Sequence, residues 1–131
     1  MKRKILLADD EPDFTAMLRM RLEARDFAVT VVQDGNEALR QIKRERPDLV
    51  FLDVLMPGMN GLNVLARLRS ASETRSIPVV MLTGEGGTNC IMRAQRMGAS
   101  DYLLKPFDPG DLTRVLGRFV GDRRTAVPAL A

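Results

Sequence analysis

Short apolar runs alternate with longer amphipathic stretches along most of this chain. The apolar runs are three to five residues long and read as buried strands. The stretches between them carry apolar residues three or four positions apart, as the inner face of a helix does. This alternation is typical of a parallel sheet covered by helices on both faces. The pattern therefore predicts an α/β fold with five strands and five helices in three layers.

Turn and capping residues give the boundaries of these elements. The predicted strands are 4–8, 28–32, 49–52, 79–82 and 102–104. The predicted helices cover about 12–24, 35–46, 61–69, 88–97 and 109–119. Asp34, with Glu37 three positions later, predicts a capping box at the start of the second helix. Asp108 followed by Pro109 marks the start of the fifth, and Gly98 the end of the fourth.

The amphipathic pattern also predicts which residues face the core. In the first and fifth helices these are Phe14, Met17, Leu18, Leu22, Leu112, Val115, Leu116 and Phe119. In the second and third helices they are Ala38, Leu39, Ile42, Leu62, Leu65 and Leu68. Each set recurs at helical spacing, so each helix is expected to bury a single stripe.

Length and composition indicate one soluble globular domain. The chain has 131 residues, of which 45% are hydrophobic and 28% charged. We expect a domain at 1–120 and a tail or linker stub at 121–131. The single cysteine cannot form an internal disulfide, and no apolar run is long enough to span a membrane. A cytoplasmic location is the expectation.

Histidine is absent from the chain, which excludes several kinds of site. Catalytic triads with histidine, histidine-based zinc sites and phosphohistidine carriers all require that residue. The net charge is +3, but the basic residues lie on helix faces that are expected to be solvated. Neither a recognition helix for a nucleic-acid groove nor aromatic residues that could stack on bases accompany them. Direct binding of nucleic acid is therefore not expected.

Polar residues stand at the carboxyl ends of four predicted strands. Burying them there would not stabilise an apolar core. They are Asp9, Asp10, Asp53, Thr83 and Lys105. In parallel sheets these strand ends share one edge, which is where ligands bind. Clustered carboxylates repel one another unless a cation joins them, and oxygen ligands suit Mg²⁺, with Mn²⁺ as an alternative. With the metal and Lys105 in place, Asp53 could accept a phosphoryl group, and the hydroxyl of Thr83 could donate to it.

The same motifs resemble the receiver domains of two-component response regulators, such as the chemotaxis regulators, over about 4–120. The resemblance rests on the adjacent acids Asp9 and Asp10, on Asp53 before Met56-Pro57-Gly58, on Thr83, and on Lys105-Pro106. It implies a flavodoxin-like, doubly wound (βα)5 fold. It also implies a Mg²⁺-dependent aspartyl phosphate at Asp53, which makes the chain a signalling phosphoacceptor and limits its catalysis to self-phosphorylation and self-dephosphorylation.

The resemblance assigns further roles around the acceptor. Asp10 and Asp53 would bind the metal directly, Asp9 mainly through water, and Leu55 through its carbonyl. Thr83 and Tyr102 would form a switch that alters the face made by the fourth helix, fifth strand and fifth helix. Leu55 and Glu85 occupy the positions that tune the lifetime of the phosphoryl group in this family.

Partners follow from the missing histidine and from the family. The phosphoryl donor would be a sensor histidine kinase or a histidine phosphotransfer protein, docking near Phe14, Met17 and the 106–108 loop. For Met17 a place in the core is the preferred interpretation. The face altered by the switch would contact an output domain or protein, or a second copy of the chain after phosphorylation.

The sequence is also compatible with two other functions. An aspartyl-phosphate hydrolase of the haloacid-dehalogenase type also uses carboxylates at strand ends, but it needs a second aspartate two residues after the nucleophile, where this chain has Leu55. A receiver-like module that has lost phosphorylation would serve only to bind a partner. All the residues that the phosphorylation chemistry needs are present, which argues against that second alternative.

Overall fold

Five parallel strands alternate with five helices in the computed structural model, which describes residues 2–84 and 88–121. The alternation matches the pattern of apolar runs and amphipathic stretches in the sequence. The elements are β1 (Lys4–Ala8), α1 (Pro12–Glu23), β2 (Ala28–Val32), α2 (Gly35–Glu45), β3 (Leu49–Asp53), α3 (Gly61–Ser70), β4 (Val79–Thr83), α4 (Thr88–Arg96), β5 (Asp101–Leu104) and α5 (Pro109–Phe119).

The strand order is β2-β1-β3-β4-β5, and each neighbouring pair is parallel. The direction of winding reverses between β1 and β3, which opens a crevice at the carboxyl ends of these strands. Every residue of β3 and β4 is buried, because helices cover both faces of the sheet. This arrangement is the predicted three-layer, flavodoxin-like architecture.

The sheet separates two hydrophobic clusters. One lies under α2, α3 and α4, and the other under α1 and α5. Phe51, the largest fully buried side chain, projects from β3 into the second cluster. Since β3 has apolar packing on both sides, its carboxyl end and the residues there are fixed relative to the rest of the fold.

The predicted inner stripes of α2 and α3 are confirmed, whereas α1 needs a correction. Leu18 and Leu22 are buried there, together with Thr15, whose hydroxyl donates to the Pro12 carbonyl at 3.1 Å. Phe14 and Met17 are only half-buried, because they flank this stripe. In α5, Phe119 is likewise half-buried, whereas Leu112, Val115 and Leu116 are buried as predicted.

Every element boundary differs from the prediction by one residue or none. β3 and β4 each run one residue further than expected, because Asp53 still pairs with Leu82 and Thr83 with Leu104. α4 ends at Arg96, and the predicted stop at Gly98 is confirmed by its φ of +97°.

The predicted capping box at α2 is only half formed. Asp34 accepts from the Glu37 amide at 2.8 Å, but among the described residues no hydrogen bond from the Glu37 side chain returns to Asp34. A complete box stands instead at α5, where Asp108 and Asp111 each accept from the backbone N–H of the other.

Among the described helices, none has both the length and the apolar character that crossing a bilayer requires. Glu85, to which lifetime tuning was assigned, lies outside the described residues. So do residues 122–131 of the predicted tail.

Candidate functional site

The five predicted polar residues meet at the carboxyl edge of the sheet. Asp53 and Thr83 are the last residues of β3 and β4, while Asp9, Asp10 and Lys105 directly follow β1 and β5. An open cleft of about 650 Å³ lies above them. The described residues lining this cleft are Asp10, Glu11, Asp53, Val54, Leu55, Thr83, Gly84, Cys90, Arg93 and Lys105.

Lys105 is the electrostatic centre of the site. Its Nζ lies 2.5 Å from Asp9 Oδ2, 3.0 Å from Glu11 Oε1 and 3.2 Å from Asp53 Oδ2. Burial lowers the pKa of Lys105, but the hydrogen bonds to Asp9 and Glu11 and the charge of Asp53 outweigh burial and raise it. The ammonium group is therefore charged over the whole physiological pH range.

An aromatic pair forms the wall beside this lysine. Lys105 Nζ stands 4.4 Å from the centroid of the Phe14 ring, a cation–π distance. Phe14 in turn meets Phe107 edge to face, with centroids 5.9 Å apart. The half-buried position of Phe14 thus places it against the ammonium group.

Three carboxylates form a cluster that suits a divalent cation. One oxygen from each of Asp9, Asp10 and Asp53 lies within 4.8 Å of the others. Asp9 and Asp53 are buried, with 0% and 6% exposure, whereas Asp10 faces the cleft. A set of oxygen donors that is open on one side leaves room for water and a phosphate oxygen, as Mg²⁺ sites do.

Asp53 carries the clearest electrostatic signature of the site. Burial, followed by the negative charge of Asp9, raises the pKa of Asp53 from 3.8 to about 6. Lys105 and the Leu55 amide, which donates to Asp53 Oδ1 at 3.3 Å, act in the opposite direction. A carboxylate whose pKa stays raised although a lysine lies beside it is typical of a functional site.

The loop after β3 is fixed on two sides. The Gly61 amide donates to the Val54 carbonyl at 2.9 Å, and the Gly35 amide at the start of α2 donates to the Pro57 carbonyl at 3.2 Å. Between these bonds residue Leu55 is 75% exposed. The loop that carries the Leu55 carbonyl is therefore held against α2 and α3.

Thr83 and Tyr102 border the same small cavity between the sheet and α4. Thr83 is buried and Tyr102 half-buried, and Val54 and Cys90 also line this space. The two residues predicted to act as a switch thus border the same gap, which is too small to hold a water molecule.

The site contains residues that the sequence analysis did not identify. Glu11 directly follows the acidic pair, and that position was the only signal for it. Cys90 and Arg93 reach the cleft from α4, and nothing in their local sequence indicated this. Their placement depends on how α4 packs over β4.

Comparison with known proteins gives these contacts a context. The family model for the response regulator receiver domain matches residues 5–117. The DNA-binding response regulator MtrA of Mycolicibacterium smegmatis is 38% identical over an alignment 142 positions long, which covers 98% of this chain and 61% of that protein. The MtrA of Mycobacterium tuberculosis H37Rv is 40% identical over 112 residues, covering 86% and 48%. The chain thus spans about half the length of most such relatives.

A solved structure agrees with this match. The receiver domain of the sensor histidine kinase PA1611 from Pseudomonas aeruginosa, which has a magnesium ion in its active-site cleft, is 30% identical. It has a TM-score of 0.85 and covers 92% of this chain and 99% of its own.

A second similar structure is that of a receiver domain in an activated form. The BeF3-activated receiver domain of RstA from Klebsiella pneumoniae is 33% identical, with a TM-score of 0.83, and covers 89% of this chain and 97% of its own. These matches do not favour the hydrolase or the binding module without phosphorylation. The chain belongs to the receiver domain family of two-component response regulators.

Proposed function

We propose that Asp53 accepts a phosphoryl group from a phosphohistidine on a partner protein. The supporting observation is that its carboxylate lies 3.2 Å from Lys105 Nζ at the floor of an open, acidic cleft. A carboxylate oxygen attacks phosphorus, the P–N bond breaks, and the imidazole nitrogen keeps the electron pair. The products are an aspartyl phosphate and a free histidine on the donor.

The acidic cluster fits a resident Mg²⁺, with Mn²⁺ as the alternative. In this proposal Asp10 and Asp53 bind the ion directly, Asp9 binds it mainly through water, and Leu55 contributes its carbonyl. When bound, the ion neutralises charge on the phosphoryl oxygens. The oxygen-only donor set and its opening toward the cleft support this assignment.

Lys105 and Thr83 are the other catalytic residues of the proposal. Lys105 donates from its charged Nζ to a phosphoryl oxygen, as a compact point charge can. Thr83 donates its hydroxyl to a second oxygen. Movement of Thr83 frees space that Tyr102 then enters, and the cavity that both residues line supports this exchange.

The exchange would alter the surface made by α4, β5 and α5. This surface is the proposed contact for an output domain or protein, or for a second copy of the chain. It includes Asp101, which pairs with Arg114 at 2.9 Å and with Arg118 at 3.1 Å. A contact that takes either arginine would compete with these ion pairs, in which the arginines are half-exposed and Asp101 is largely buried.

The proposed donor is a sensor histidine kinase or a histidine phosphotransfer protein. It would dock near α1 and the 106–108 loop, where Phe14 and Phe107 are half-buried beside Lys105. A cytoplasmic location, signalling without turnover of an external substrate, and no direct contact of this domain with nucleic acid or membrane complete the proposal.

Incubation with acetyl phosphate and Mg²⁺, followed by intact mass measurement, tests the proposal. We expect one phosphoryl adduct on the wild type, none on Asp53→Asn, and an unchanged adduct on Asp26→Asn, whose side chain is 84% exposed. An adduct that persists in Asp53→Asn would contradict the assignment. Turnover of assorted phosphomonoesters would instead support a hydrolase, and no adduct on any variant would support a binding module.

A further inference from the structure

Glu11 uses its side chain in an unusual way for a residue at the start of a helix. It occupies the N-cap position of α1, but its carboxylate makes no capping hydrogen bond. Its backbone N–H donates to Asp9 Oδ1 at 2.9 Å, which orients the residue toward the site. In the described part of the chain, the carboxylate has one hydrogen-bond partner, Lys105 Nζ at 3.0 Å.

This contact occupies the last donor of Lys105. An ammonium group has three N–H donors. Here they are directed at Asp9, Glu11 and Asp53. A phosphoryl oxygen on Asp53 therefore finds no unoccupied donor on Lys105 unless one contact breaks.

The three contacts differ in how easily they break. The side chain of Asp9 is fully buried, so in the metal-free protein losing the lysine would leave its charge with only the Glu11 N–H as a partner among the described residues. Asp53 is itself the reacting group. Glu11 is 62% exposed, and water can replace the lysine at its carboxylate. Glu11 is accordingly the partner that gives up Lys105 at least cost.

We infer that Glu11 is a positioning residue that holds Lys105 in the resting state and slows phosphorylation until it releases the lysine. The inference rests on the proposed phosphorylation of Asp53. The carboxylate of Glu11 competes with the phosphoryl group for the same nitrogen and repels the incoming anion. Freeing Lys105 from Glu11 should therefore accelerate phosphoryl transfer.

Two variants separate the contact from the charge. Glu11→Gln removes the charge and weakens the contact. Glu11→Asp keeps the charge but is one methylene shorter, so it cannot hold Lys105 in the same geometry. Asp13→Asn is the matched control, because Asp13 lies in the first turn of the same helix, is exposed, and does not contact Lys105.

The experiment measures the rate of phosphorylation by acetyl phosphate at saturating Mg²⁺, by quenching and intact mass. The chain has no tryptophan, so intrinsic tryptophan fluorescence is not an available readout. We expect both Glu11 variants to react about two- to fivefold faster than the wild type. A factor of this size corresponds to the free energy of one exposed ion pair. Affinity for beryllium fluoride, followed by ¹⁹F NMR, should rise by a similar factor, while thermal stability should fall only slightly, by the loss of that one ion pair.

The outcomes distinguish this inference from the proposed function. Equal rates in the wild type and both Glu11 variants, with a normal adduct, would overturn the role of Glu11 and leave the acceptor role of Asp53 intact. A rate increase in Glu11→Gln but not in Glu11→Asp, or an equal increase in Asp13→Asn, would assign the effect to charge alone and also overturn it. No adduct on the wild type would overturn both.

Discussion

Gly35 lies directly against the backbone of Met59. A Cβ atom built on Gly35 would stand 1.6 Å from the Met59 carbonyl oxygen. The contact joins the first residue of α2 to the loop after β3, next to the hydrogen bond from the Gly35 amide to Pro57. The loop that carries Leu55 therefore depends on the absence of a side chain at position 35.

Replacing Gly35 with alanine should destabilise the fold. The methyl group would push against backbone that cannot move aside cheaply, which costs about 1–3 kcal/mol. Urea unfolding would measure the change in the free energy of unfolding. Gly84→Ala is the control, since a Cβ at Gly84 meets nothing within 4 Å. An equal effect in both variants would contradict the importance of the Met59 contact.

Arg69 should be more important to stability than its position on a helix surface suggests. From α3 it donates to the carbonyls of Gly98 and Ile77, both at 2.8 Å, and to Ser100 Oγ at 3.4 Å. Burial also lowers the pKa of its guanidinium, which is consistent with a group partly withdrawn from water.

Arg69→Met keeps the apolar stem but removes the donors. Because two carbonyls lose their partner, we expect a loss of about 2–3 kcal/mol in the free energy of unfolding. Arg67→Met is the control, since Arg67 is an exposed neighbour on α3 with no ion pair among the described residues. Chemical unfolding of both variants checks this, and a loss below about 0.5 kcal/mol in Arg69→Met would refute it.

The raised pKa of Asp53 predicts a pH-dependent gain from removing its charge. In metal-free protein the folded state holds the proton more tightly than the unfolded state, so stability falls as pH rises from about 4 to about 6. Asp53→Asn should therefore be more stable than the wild type at pH 7.5, and the difference should vanish near pH 4.

The expected gain is about 1–2 kcal/mol, after reducing the full value of the pKa shift because water in the cleft screens the charge. Thermal unfolding in a chelator, as a function of pH, measures it. A stability difference that stays constant from pH 4 to pH 7.5 would show that another effect of the substitution is responsible.

Mg²⁺ should stabilise the protein through the acidic cluster. At a concentration one hundred times the dissociation constant, a ligand that binds only the folded state adds about 2.7 kcal/mol to its stability. We expect Asp10→Asn to lose most of this gain, because it removes a proposed ligand, and Asp26→Asn to keep it. Thermal unfolding across a Mg²⁺ titration measures the effect. Equal gains in all three proteins would argue against the site.

The apolar side chain of Leu55 predicts a moderately long-lived phosphoryl group. The residue is 75% exposed beside the acceptor, and its side chain cannot form a hydrogen bond to an attacking water. Leu55→Asn should accelerate dephosphorylation roughly fivefold, because the asparagine amide could form one hydrogen bond, of about 1 kcal/mol, to the attacking water. Loss of the adduct over time, by intact mass, gives the rate. Met20→Asn, at an exposed apolar residue of α1 that does not line the cleft, should leave the rate unchanged.

Periodicity carried enough information to predict the fold. Apolar runs such as 49–52 identified strands, and caps such as Asp108 and Gly98 located helix ends within a residue or two. Local patterns succeed here because helix and strand periods are properties of neighbouring positions. They failed at Phe14 and Met17, where the angle at which α1 packs decides which of two adjacent stripes is buried.

The sequence alone determined which polar groups meet, because residues that follow parallel strands share one edge of the sheet. Asp9, Asp53 and Lys105 could be placed together for that reason. Only the tertiary structure decided how the donors of Lys105 are distributed, that Glu11 takes one of them, and that Arg93 reaches the cleft from α4. These contacts depend on distances of a few ångströms between separate elements, and core packing sets such distances over the whole molecule.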